Sequence, residues 1–348
     1  MNTKVSSRNS SIEIGGERIN PGERKAIKIP IVAMATHETT DMTAHVINGK
    51  STGPTLFVSA AIHGDEINGV EIIRRLLKQK QIARLNGTLI AIPIVNIHGF
   101  ITQSRYLPDG RDLNRSFPGS EKGSLAGRMA HTFFNEVIAQ CTQGIDLHTG
   151  ARHRENLPQI RADMSQEETR NLATAFGVPA IIDSKIRDGS LRAVTEEAGI
   201  PVLLYEAGEA LRFDEISIRA GVRGILNVMR HLGMLPRLKN KEPRHPPIIS
   251  NSTAWVRATH SGVLRALLPL GAKAEKGSTL GVIADPLGDG EYPVIAPEDA
   301  IVIGRTNLPL THEGDALFHL AYYKRKTDTV LDQVEEFQER FEPNTLQP

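Results

Sequence analysis

Four side chains in this sequence have types that could share one reaction. His63 and Glu66 stand three positions apart in "HGDE", His148 closes "DLH" in "GIDLHTG", and Glu206 closes "VLLYE". Zinc takes imidazole nitrogen and carboxylate oxygen, and a catalytic zinc keeps three protein ligands and one open water position. Two histidines and one glutamate meet that requirement. A second carboxylate, off the metal, would take a proton from water and return it to a leaving amine. Singly, each residue has a plainer explanation. His63 suits a hydrogen-bonded helix start, Glu66 a first helical turn favoured by the dipole, and Glu206 a buried structural carboxylate. The metal reading therefore requires all four to converge. "GRDLNRSFPG" (110–119) adds Asn114 and Arg115, which alone would do no more than fix a loop.

Convergence follows if the surrounding segments form an α/β sheet, because ligands gather outside the carboxyl ends of its strands. From residue 54 to about 235, strand-like and helix-like segments alternate. "TLFVSAAI" (55–62) is a continuous apolar run of strand length, and "EINGVEIIRRLLKQ" (66–79) carries Val70, Ile73 and Leu77 at helical spacing. "GTLIAIPIVN" (87–96) reads as a strand and "SLAGRMAHTFFNEVIAQ" (124–140) as a helix. "GIDLHTG" (144–150) is a short strand. Ser165 and Glu168 have capping-box spacing at the head of a helix. "PAIID" (179–183), "SLRAVTEEAG" (190–199), "IPVLLYEAG" (200–208) and "DEISIRAGVRGILNVMRHLG" (214–233) continue the alternation. Continuous apolar strands between amphipathic helices imply a mixed or parallel sheet covered on both faces.

The expected organisation is a catalytic α/β domain over 1–235 with a β-rich N-terminal lead-in, then a linker over 236–247. A β-rich unit over 248–325 and a charged tail over 326–348 complete it. The linker "PRLKNKEPRHPP" is rich in proline and basic residues. Beyond it, "KGSTLGVI" (276–283) matches "EGDALFHL" (313–320) and "GVL" (262–264) matches "AIV" (300–302), a faint repeat that suggests a small pseudo-symmetric barrel or sandwich. With 41 basic and 40 acidic residues the formal charge is +1, which disfavours a general nucleic-acid partner. The one cysteine permits no intrachain disulfide. The N-terminus lacks a signal-peptide core, and no apolar run is long enough to span a bilayer. A soluble, cytoplasmic protein without a membrane partner is expected, and nothing in the sequence excludes a homo-oligomer.

"HGDE", "DLNR", "DLHTG" and "YEAGE", in that order, resemble the succinylglutamate desuccinylase/aspartoacylase family of the zinc carboxypeptidase superfamily. The resemblance extends over roughly residues 30–325. It implies an α/β, carboxypeptidase-like mixed sheet flanked by helices, plus a small C-terminal all-β barrel-sandwich-like domain. It further implies one Zn2+ per chain held by His63, Glu66 and His148, with Glu206 activating water. Asn114 and Arg115 match the pair that grips a substrate carboxylate. An arginine upstream of "DLNR" polarises the scissile carbonyl in such enzymes; Arg105 and Arg111 are both available, and Arg105 is favoured because Arg111 abuts the motif, where it would serve substrate binding. The implied activity is removal of the acyl group from an N-acyl amino acid or a related small amide. A zinc carboxypeptidase acting on peptides is the alternative, and a non-catalytic binding protein on a hydrolase scaffold the weaker one. The C-terminal unit resembles biotinyl and lipoyl carrier folds, but "ADPLGDGEYPVIAPED" (284–299) has no lysine, so it is expected to shape the cleft. Loops 152–160 and 184–192 are expected to line an acyl pocket, with Arg152, His153 and Arg154 read as a solvated loop.

Overall fold

The computed structural model describes residues 8–33, 37–184, 186–238 and 246–323, together with Val334, Phe337, Glu339 and Phe341. Most of the expected linker (239–245) and most of the tail beyond 325 lie outside the described residues.

A 13-stranded sheet runs through the molecule. Its centre is parallel: Val202–Glu209, Gln143–Gly150, Thr55–Ala60 and Thr88–Ile92 lie side by side in that order. Thr39–Asn48 and Arg24–Ala33 extend one side antiparallel. Alternation along each strand divides two cores, since successive side chains point to opposite faces. Leu56, Val58, Leu89 and Ala91 pack with the helices Asn68–Leu76, Glu167–Phe176 and Glu215–His231. Phe57, Ile90 and Ile92 pack on the other face with Leu125–Glu136 and Leu191–Glu197. Phe57 meets Phe133 edge-on at 6.3 Å between ring centroids, and its ring occupies the space a side chain at Gly144 would need.

On the far side the sheet continues beyond Val202–Glu209. Arg154–Ala162 runs antiparallel to Val202–Glu209 and pairs on its other edge with Ala300–Thr306. Ala316–Tyr322 and Ser252–Arg257 follow. A second sheet of four strands, among them Gly262–Ala266, Thr279–Ala284 and Glu291–Ile295, packs on this extension over Leu264, Leu280, Ile283, Val302, Phe318 and Leu320. The repeat read in the sequence has a structural counterpart: Thr279–Ala284 and Ala316–Tyr322 lie in opposite layers. Each follows a turn whose glycine, Gly277 or Gly314, has positive φ, the left-handed region that only glycine enters at little cost.

Two expectations are corrected. Residues 154–162 are a buried strand rather than a solvated loop. The helix expected to start at Ser165 has Gln166 at its N-cap without a side-chain cap bond, while Glu168 accepts from Gln143 Nε2 at 2.9 Å. Of the charged tail, Val334, Phe337 and Phe341 are described and buried, and both phenylalanines pack on Ala220 of the helix Glu215–His231.

Candidate metal centre and its cleft

The strand Thr55–Ala60 ends in an abrupt change of direction. Ala61 adopts φ +51°, a conformation that costs a non-glycine residue about 1–3 kcal/mol and persists only where neighbours hold it. Here Val95 N and Asn96 N donate to Ala60 O and Ala61 O at 3.0 and 2.9 Å. Gly64 then packs directly on the backbone of Gly99 and Phe100, where a Cβ would overlap it. The bend delivers His63 and Glu66 to the carboxyl end of the sheet. His148 arrives from the neighbouring strand, and Glu206 from the strand beyond, its Cα in register with His148. Gly208, φ +74°, follows a register shift that turns the chain away after Glu206.

His63, Glu66 and His148 are 4%, 3% and 4% exposed, and one ligand atom from each lies within 4.8 Å of the others. The Nδ1 atoms of both histidines face the Glu66 carboxylate, at 2.7 Å from Oε1 and 2.8 Å from Oε2. Their Nε2 atoms point away to second carboxylates: His63 to Asp112 Oδ1 at 3.2 Å, and His148 to Asp146 Oδ2 at 2.7 Å. Asp146 is itself held by Ser59 Oγ at 2.8 Å. Such carboxylate–histidine pairs fix the ring and the tautomer, so that the opposite nitrogen presents a lone pair. The donor set and its outer anchors fit a divalent metal such as zinc.

Charge is matched inside this buried group. Burial opposes protonation of His63 and His148, but the surrounding carboxylates outweigh it and hold both above the ordinary histidine range. Burial likewise opposes ionisation of Glu66, and the two imidazoles overcome it and keep its pKa well below the usual carboxylate range. Three buried groups that must carry or share charge in contact are costly to keep unless something compensates them. A bound cation would replace the protons.

The triad opens into a cleft of about 890 Å³ that also contains Arg105, Asn114, Arg115 and Glu206. Arg105 donates to Glu66 Oε1 at 3.2 Å and Asp112 Oδ2 at 3.0 Å, at the rim of the buried triad. Asn114 Oδ1 accepts from Leu191 N at 2.9 Å, so its amide donors are what it can offer a ligand. Arg115 donates to the Asn114 carbonyl. Arg111 is not brought to the cleft; its side chain is 61% exposed and pairs with Asp109 at 3.2 Å. Arg152 is 50% exposed and pairs with Asp65, whereas Arg154 lines the cleft.

Several cleft residues had no role in the sequence reading. Asp112 and Asp146 stand inside "DLNR" and "DLH", one or two positions from residues singled out there, so a search for ligand anchors would have found them. Asn156 and Arg161 come from the strand taken for a loop. Trp255 and His319 come from the C-terminal unit, their rings stacked at 4.7 Å and 9°, with Arg154 over the indole at 5.0 Å. That unit supplies residues 251–255 as well, so it walls the cleft as expected.

The profile of the succinylglutamate desuccinylase/aspartoacylase catalytic domain matches residues 52–232. The N-alpha-acetyl-L-2,4-diaminobutyric acid deacetylase of Halomonas elongata is 27% identical over 282 residues, 77% of this chain and 82% of that protein. The succinylglutamate desuccinylase of Photorhabdus laumondii is 31% identical over 183 residues, 46% of this chain and 55% of that one. Among solved structures, a succinylglutamate desuccinylase/aspartoacylase from Rhodobacter sphaeroides superposes with a TM-score of 0.76 at 24% identity, over 87% of this chain and 96% of the other.

Proposed function

Because the chain belongs to the succinylglutamate desuccinylase/aspartoacylase family, we propose that it is a zinc-dependent deacylase of small N-acyl amino acids. His63, Glu66 and His148 hold the metal. The observation that carries the reading is the convergence of those three ligand atoms, each histidine anchored behind by a carboxylate, with Glu206 in the same cleft.

Zinc, when bound, supplies a Lewis acid beside the amide carbonyl and makes water easier to deprotonate. Glu206 takes the proton as water adds to the carbonyl carbon, and returns it to the nitrogen as the C–N bond breaks. Arg105, beside Glu66, faces the developing oxyanion and offsets its charge. Arg115 offers a planar fork for the substrate carboxylate, and Asn114 adds a donor. Seven arginines line the cleft against four carboxylates, an excess that attracts anionic substrates. The wall from residues 251–255 and His319 favours a small substrate over a polypeptide.

The test is elemental analysis of the purified protein, with His148→Ala as control, followed by turnover of N-acyl amino acids against dipeptides. About one zinc per chain, lost in the variant, with release of free amino acid from the acylated substrates, supports the reading. Faster cleavage of dipeptides would favour a carboxypeptidase. Failure to bind zinc even after reconstitution would sink both and leave a binding protein on a hydrolase scaffold.

A further inference from the structure

Glu206 is exposed to the cleft through one oxygen and tied down through the other. Among the described residues it accepts one hydrogen bond, from Asn156 Nδ2 to Oε2 at 2.7 Å. Its Oε1 has Arg161 Nε at 3.6 Å, within ion-pair reach but beyond hydrogen-bonding distance, and that buried Nε makes no hydrogen bond. Asn156 is 7% exposed and lies on Arg154–Ala162, between the strand of Glu206 and the C-terminal strand Ala300–Thr306. Its neighbour in register on that strand is Gly304. A Cβ at 304 would stand 2.8 Å from Asn156 Oδ1, closer than atoms of that kind approach without one moving. The missing side chain at 304 is what leaves the amide its place.

We propose that Asn156 is a positioning residue for Glu206, and that Gly304 of the C-terminal unit keeps the space in which it does so. The inference rests on the reading of Glu206 as the proton carrier. An amide NH2 donates and accepts nothing, so Oε2 stays an acceptor whether Glu206 is ionised or protonated. The mobile proton is confined to Oε1. In the forward reaction Oε1 gains a proton from water while the new C–O bond forms. It then loses that proton to the departing nitrogen while the C–N bond breaks, and the Asn156 bond to Oε2 is kept throughout. A carboxylate free to rotate would present either oxygen and lose alignment at each transfer.

The experiment is steady-state deacylation by the zinc-loaded enzyme carrying Asn156→Ala, Asn156→Asp, Gly304→Ala or the double substitution Asn156→Ala/Gly304→Ala, with Glu206→Gln as reference. Loss of a charge-assisted bond predicts kcat lower by roughly 10- to 100-fold in Asn156→Ala, with KM changed less than about twofold. Asn156→Asp preserves the shape, removes the donor and sets a second carboxylate against Oε2, so it should lose at least as much as Asn156→Ala. Gly304→Ala should lower kcat too, and the double variant should be no worse than Asn156→Ala, because both act through one contact. Zinc content and melting temperature establish that each variant is folded. Wild-type kcat in Asn156→Asp, a loss confined to KM, or multiplicative effects in the double variant would overturn the proposal. If Glu206→Gln itself retained full activity, the reading of Glu206 would fall instead.

Discussion

Asp146 is 1% exposed and lies behind His148, on the side away from Glu66, so the proposed metal affinity should depend on it. His148 presents Nδ1 to the triad, so the ring must carry its proton on Nε2 when metal is bound, and Asp146 accepts that proton's hydrogen bond at 2.7 Å. In Asp146→Asn the amide can orient its oxygen toward Nε2 and its nitrogen toward Ser59 Oγ, with the hydroxyl reversing from donor to acceptor. The tautomer survives and the charge does not. Replacing such an anchor typically weakens metal binding about 10- to 100-fold, or about 1.4–2.7 kcal/mol. Asp112 makes the longer contact, 3.2 Å to His63, and its side chain is 16% exposed, so solvent screens it and Asp112→Asn should cost a few-fold at most. The assay is competition for zinc against a chromophoric chelator, at a pH alkaline enough to limit proton competition at the two histidines. An Asp146→Asn affinity within about twofold of wild type, or a larger loss in Asp112→Asn, would refute the argument that buried carboxylates set the lone pairs of this site.

Further outcomes are expected elsewhere in the chain. Burial, with Arg161 and Arg154 nearby, pushes the His319 pKa down to about 3. The unfolded chain takes up this proton near pH 6.5, so the contribution to stability is complete above that pH and declines as pH falls toward 3. His319→Phe should lose less stability than wild type between about pH 7.5 and 5 in urea titrations, and equal losses would contradict this. Trp255, the chain's single tryptophan, supplies the fluorescence signal beside the mutated ring. Arg192 lines the cleft and donates to Ser184 Oγ and O at 2.7 and 3.0 Å, with no carboxylate within ion-pair distance among the described residues. Arg192→Gln should raise KM about tenfold for acyl amino acids with a second carboxylate and much less for those without one; an equal change for both would exclude a role in recognising that charge. Arg75 forms a two-pronged pair with Glu215 at 2.6 and 2.9 Å, joining the helices Asn68–Leu76 and Glu215–His231. Both side chains are 33% exposed, so Glu215→Gln should cost about 0.5–1 kcal/mol in denaturant titrations and less in high salt. A loss insensitive to salt would point to packing instead.

The parts of the site that could be read from sequence were those whose neighbours obey simple patterns. Strands such as Thr55–Ala60 are buried on both faces and read as unbroken apolar runs, which located the polar residues at their ends. Arg154–Ala162 escaped because one of its faces forms the cleft. Asn156 and Gln159 are buried and hydrogen-bonded to Glu206 and to Ile303 O, so polarity there marked internal hydrogen bonds where it was taken for solvent. The buried residues of the tail were not legible either. Val334, Phe337 and Phe341 have helical spacing, but the charges between them dominate composition. The choice between Arg105 and Arg111 needed three dimensions: Arg105 reaches Glu66 and Asp112, while Arg111 pairs with Asp109 at the surface.

The strand Arg154–Ala162 lies between the strand of Glu206 and Ala300–Thr306, which has a consequence for how the protein is made. A chain emerging from the ribosome can pair the central parallel strands as soon as Val202–Glu209 is out. Ala180–Asp183 covers Gln159–Ala162 on that edge, but until Ala300–Thr306 follows the stretch Arg154–Asn156 has no strand beside it there, and open edges invite pairing with other chains. The wall bearing Trp255 and His319 is also incomplete until then. Contacts so distant along the chain form late. The cleft is therefore finished only once His319 has emerged, and a chain truncated after residue 235 would carry His63, Glu66 and His148 on a sheet still open beside Arg154–Asn156.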